Sequence, residues 1–271
     1  MTQRTYSLAQ LIALPYAPPQ MVRLAAASGC SAAGIRLLPA APGGVHYPLM
    51  HDAPLHRETL AVMRDTGVHV LDLEVLRIGP DFDPAAHAAF LACGAELGAK
   101  HILVAGDDPD EARLVARFAA LCEAAAPYGL SADLEFMPWT AVRDCASAAR
   151  IAAAAAQPNG GVLVDALHWS RSGSTLDDVS ALPRARLHYA QACDGAVPGP
   201  TTTEGLIHDA RCERMLPGEG GIPLRALFER LPADLPVSIE IPSQSRAPLM
   251  GHAAWARAAV AATRRSLEGG G

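Results

Sequence analysis

At 271 residues the chain is long for one ordinary domain and short for two, a length that suits the roughly 250 residues of an α/β barrel. Hydrophobic residues make up 50% and charged residues 18%, which supplies a large core and excludes a disordered chain. Lys and Arg number 22 against 28 Asp and Glu, and the net charge of −6, without any basic stripe, excludes a nucleic-acid partner.

Short β-branched or Leu-rich runs alternate with helical stretches from end to end. Strands are expected over residues 5–8, 33–38, 68–75, 101–105, 131–136, 161–165, 186–191 and 236–241. Helices are expected over 19–28, 56–66, 84–97, 109–128, 142–156, 176–181 and 224–231, with a closing helix at 252–266. Gly29, Gly67, Gly98 and Gly129 stand where helices end, the position that favours a left-handed residue. Asp107-Asp108-Pro109 and the run from Thr175 to Asp178 read as helix starts capped by side-chain oxygens.

Eight strand–helix units without a low-complexity linker predict a single (β/α)8 TIM barrel over residues 1–271. A doubly wound sheet would use the same alternation, but no GxGxxG follows the first strand. The connections 39–55 and 193–222 are long enough to be functional loops. The six cysteines form no CxxC pair or cluster, which argues against a zinc knuckle or a disulfide framework. No signal peptide is read at the N-terminus and no apolar run spans a membrane, so a cytoplasmic protein is expected.

Barrel chemistry sits at the carboxyl ends of the strands. Four consecutive expected strands carry oxygen donors there: Glu135, Asp165, Gln191 and Glu240. A lone strand-end carboxylate reads more often as a helix cap or an ion-pair partner. Together the four converge on one point and make an oxygen-rich site for one divalent metal, Mg²⁺ or Mn²⁺ rather than Zn²⁺.

The motifs Asp-Leu-Glu135-Phe-Met-Pro, Asp165-Ala-Leu-His168, Tyr-Ala-Gln191-Ala-Cys-Asp194, Pro217-Gly-Glu-Gly-Gly and Ser-Ile-Glu240-Ile-Pro occur in this order. In that order they resemble the xylose isomerase-like superfamily of TIM barrels, which holds sugar (phosphate) isomerases, epimerases and related lyases. The resemblance runs over essentially the whole chain and implies that Glu135, Asp165, Gln191 and Glu240 hold one metal. Gln191 departs from the usual His of that strand. A Gln there, with Arg214 three residues before Pro217, is similar to a bacterial branch of 3-dehydroshikimate dehydratases, although Ala210 replaces a Ser of that branch.

His168 is a candidate acid/base or oxyanion donor, and Glu135 and Glu240 are candidates for proton exchange next to a carbonyl. Arg214 and Arg211 suit a carboxylate or phosphate group of the substrate, and Glu74 and Arg77 its polar groups. His188 reads as a packing residue, Glu219 as an exposed turn carboxylate, and the glycines at 218, 220 and 221 as turn formers. The expected function is metal-dependent isomerisation or epimerisation of a small sugar-like substrate in carbohydrate metabolism. A dehydratase-type lyase acting on a hydroxylated carbonyl acid and a non-catalytic metabolite-binding barrel are the alternatives, and a homo-oligomer is open.

Overall fold

The computed structural model describes residues 4–269, so positions 1–3 and 270–271 of the expected domain lie outside the described residues. Eight parallel strands close into a barrel in chain order. They are β1 (Tyr6–Leu8), β2 (Ala32–Arg36), β3 (His69–Ile78), β4 (His101–Gly106), β5 (Ser131–Glu135), β6 (Gly160–Asp165), β7 (Ala190–Ala192) and β8 (Val237–Ile239). β8 pairs with β1, placing Val237 opposite Tyr6, and the closure rules out a doubly wound sheet. Among the described residues no helix is long and apolar enough to cross a membrane.

Alternation along each strand splits its residues between two environments. On β5, Ala132 and Leu134 join the large core between sheet and helices, whereas Ser131, Asp133 and Glu135 face the barrel interior. The interior has its own small apolar cluster, including Leu71, Leu103, Met137 and Leu163. Gly67 and Gly129 end their helices at φ 71° and 70°, as their sequence positions led us to expect. Thr175 caps the helix Leu176–Ser180. The helix Glu111–Ala125 is capped by Asp110, not by the two aspartates before Pro109.

Besides the four-residue turn of helix at Ala247–Met250, two helices were not legible as periodic segments. Ala166–Arg171 follows β6 without a loop, and Thr203–Cys212 forms inside the long connection after β7. β7 itself is shorter than the expected 186–191. Arg186 donates to the carbonyls of Gln157 and Gly160, and the chain enters the sheet only at Ala190, opposite Val164.

At the amino-terminal end of the barrel, His188 is an ion-pair residue and not mere packing. Its Nδ1 lies 2.7 Å from Asp133 Oδ1, and Ser131 Oγ donates to Asp133 Oδ2 at 2.6 Å. His101 Nδ1 meets Ser131 Oγ at 2.7 Å, which completes the network. Burial alone would lower the His188 pKa, but the hydrogen bond and charge of Asp133 outweigh it and raise the value. A His whose folded pKa is raised contributes stability below its unfolded value, and that contribution is lost as pH rises through the folded value. His188→Gln is therefore expected to lower the melting temperature more at pH 5.5 than at pH 8.5. A deficit that is equal at both pH values would exclude a charged His188–Asp133 pair.

Candidate functional site

At the opposite, carboxyl end, the Asp165-x-x-His168 spacing has a direct structural cause. Asp165 ends β6 and is also the N-cap of Ala166–Arg171, its Oδ1 accepting the His168 N–H at 3.0 Å. One carboxylate thus ends the strand, starts the helix and fixes His168 in the first turn. Register then aligns the neighbours: Gln191 pairs with Asp165 on one side and with Ser238 on the other. Glu240 follows two residues after Ser238, just past β8.

Glu135, Asp165 and His168 each offer a ligand atom, and these atoms lie within 4.8 Å of one another. His168 Nε2 is 3.7 Å from Glu135 Oε1, and Trp139 packs against the imidazole edge-on. Glu135 Oε1, His168 Nδ1 and both amide atoms of Gln191 are buried without a hydrogen-bond partner. Buried polar atoms are almost always paired, so unpaired ones gathered beside a cavity mark a candidate ligand site.

Arg214 enters this group from the loop after β7. Its Nη1 donates to Asp165 Oδ2 at 2.6 Å, and its Nη2 lies 2.7 Å from Glu240 Oε2. Nε donates to the Ala210 carbonyl, and only 3% of the residue is exposed. The loop is held by Asp194, whose carboxylate accepts the backbone N–H groups of Gly195, Gly218, Gly220 and Ile222. That explains the Pro-Gly-Glu-Gly-Gly turn, where a Cβ on Gly220 would stand 2.4 Å from Asp194 Oδ1. Glu219 points outward and pairs with exposed Arg246.

The charges are balanced unevenly. Burial, reinforced by Asp165 and Glu240, raises the Glu135 pKa well above the usual carboxylate range. Burial also pushes Glu240 up to about 7, against the pull of Arg214. Burial would raise Asp165 too, but the Arg214 guanidinium holds it below its ordinary value. Burial lowers His168 to about 4, so its imidazole is neutral near pH 7. Ionised together, the three carboxylates facing one guanidinium would carry two excess negative charges, which a divalent cation would offset in place of the protons that burial favours. The unpaired oxygens of Glu135 and Gln191 therefore fit a metal, although Asp165 and Glu240 already spend one oxygen each on Arg214.

A cavity of about 320 Å³ opens above these residues. Glu135, His168, Glu240, Arg211 and Arg214 line it, whereas Asp165 and Gln191 are fully buried beneath. Glu74 does not line the cavity. Its oxygens accept the Gln10 N–H and the guanidinium of Arg36, and it reaches the cavity only by orienting Arg36. Arg36 was missed in the sequence because it ends β2 without any flanking motif.

The model of the xylose isomerase-like TIM barrel family matches residues 22–266. The chain belongs to that family. No curated protein matches it in sequence. Among solved structures, the IolI protein with a bound zinc atom is 17% identical, with a TM-score of 0.80 over 98% of each chain. The D-allulose 3-epimerase of Methylomonas sp., solved with D-allulose, is 15% identical over 97% of each chain, with a TM-score of 0.69. The probable 3-DHS dehydratase AsbF of Bacillus anthracis is 15% identical, covering 96% of this chain and 98% of its own, with a TM-score of 0.73. At such identities the likeness shows the shared fold alone.

Removing Arg214 leaves Asp165 and Glu240 buried without their counter-charge. Arg214→Met is expected to cost about 3–5 kcal/mol in urea unfolding of the metal-free protein, the scale for breaking a buried ion pair. Added divalent cation should recover more stability in the variant than in the wild type. Unchanged unfolding of the metal-free variant would show that Arg214 does not balance these carboxylates.

Proposed function

We propose that this barrel is a divalent-metal-dependent enzyme that transfers a proton next to a carbonyl, isomerising or epimerising a small hydroxylated substrate. The observation that carries this reading is the buried group of Glu135, Asp165 and His168, with ligand atoms within 4.8 Å of one another. Glu135, Asp165, Gln191 and Glu240 would hold the cation, and four oxygen donors favour Mg²⁺ or Mn²⁺ over Zn²⁺. When bound, the cation supplies Lewis-acid polarisation of the substrate carbonyl.

The remaining chemistry belongs to the chain. Glu135 and Glu240, carboxylates with raised pKa values at the cavity floor, are suited to take a proton from carbon and return it. Neutral His168 donates a hydrogen bond to the oxygen on which negative charge grows. Arg214 orients the carboxylates of Asp165 and Glu240. Neighbours named as epimerases of D-allulose and D-psicose support a small hydroxylated substrate. If the same enolate expelled a hydroxyl, the outcome would be the dehydratase chemistry for which AsbF is named.

Elemental analysis after loading is expected to find one Mg²⁺ or Mn²⁺ per chain, and exhaustive EDTA treatment to abolish turnover. Stoichiometric zinc from a metal-rich purification, or full activity in chelator, would contradict the assignment. His168→Ala is expected to lower kcat by roughly 10²-fold, the scale of an acid–base group, with metal content unchanged. Loss of the metal with the activity would instead make His168 a ligand.

A further inference from the structure

The wall of the cavity above the carboxylates is cationic. Arg36, Arg77 and Arg211 all line it, in addition to Arg214 at its floor. Two of the three are already neutralised. Arg36 Nη2 lies 2.6 Å from Glu74 Oε2, and Arg77 grips both carboxylate oxygens of Asp107 at 2.6 and 2.9 Å. Arg211, in the last turn of Thr203–Cys212, has no hydrogen bond or ion pair among the described residues. It is half-buried, and burial, with the charges of Arg77 and Arg36, lowers its pKa. A half-buried guanidinium facing two others is unfavourable unless an anion joins them.

The other walls are mostly apolar. Val75, Leu103 and Met137 line the same cavity, joined by the unpaired Trp139 indole N–H and by Gln244, so a chain of hydroxyls finds few partners there. An open polyol would leave several of its hydroxyls without partners there, whereas a compact ring or short chain with one acidic group would not.

We infer that the substrate carries a carboxylate or phosphate group, that Arg211 with Arg77 binds this group at the cavity rim, and that its carbonyl points to the floor. The inference rests on the proton-transfer reading of the floor and names the substrate class that this reading leaves open. It also assigns the anion to Arg211 in place of Arg214, whose guanidinium is committed to Asp165 and Glu240.

The test is calorimetry on the metal-loaded protein with matched acid and neutral probes. Suitable pairs are shikimate with its carboxamide, ribose 5-phosphate with ribose, and glycerate with glycerol. In at least one pair the acid should bind about tenfold tighter or more, the scale of a charge-assisted hydrogen bond. The pair that discriminates identifies a carboxylate or a phosphate. Arg211→Gln should remove the preference and leave metal binding and melting temperature unchanged, because Arg211 holds no structural partner. Arg211→Lys should restore part of the preference.

Equal or absent binding in every pair, or a preference that survives in Arg211→Gln, overturns the anion subsite. Failure of the floor reading is a separate result. It would appear as no exchange of carbon-bound hydrogen for deuterium in D₂O by any bound carbonyl-containing acid, even when the acid preference is intact.

Discussion

The carboxyl face of this barrel depends on one buried guanidinium. Arg214 bridges Asp165 and Glu240, and without it three carboxylates would crowd one desolvated floor. Burying a single carboxylate without compensation costs several kcal/mol, so the site is possible only because a cation is built into it. One guanidinium does not balance three carboxylates. Burial, with the neighbouring carboxylates, therefore raises the Glu135 and Glu240 pKa values, and a divalent ion would suit the same floor.

Most of the loop architecture exists to deliver that guanidinium. Asp194 gathers three backbone N–H groups of the turn that follows Arg214, together with that of Gly195, and Met215 pairs with Asp194 as an isolated antiparallel bridge. On the other side, the Arg214 N–H donates to the Pro242 carbonyl, which ties the loop to the end of β8. The same segment carries Arg211 to the cavity wall. Loop folding, charge balance at the floor and the cationic rim are therefore a single structural event.

The two ends of the barrel interior use similar residues for opposite ends. At the amino-terminal mouth, His101, Ser131, Asp133 and His188 satisfy one another in a closed network. At the carboxyl mouth, Glu135, His168 and Gln191 retain buried atoms without partners. The first arrangement stabilises the fold. The second holds binding capacity in reserve, at a cost in stability that the surrounding core must offset.

The strand–helix alternation, the barrel, and the gathering of Glu135, Asp165, Gln191 and Glu240 at its carboxyl end were all legible in the sequence. A strand buried on both faces must be apolar, so a carboxylate at its end stands out. The Asp165–His168 spacing was equally legible, because a cap acts within three residues. Tertiary structure alone decided the partners of the arginines. Nothing local to Arg214, Arg211 or Arg36 distinguishes a buried counter-ion from a free cavity group or an arginine held by Glu74. The carboxylates that decide lie 49 residues from Arg214 and 38 from Arg36. Sequence near a charge reports its own element, but its partner is chosen by the closure of the barrel, which brings distant strand ends within reach.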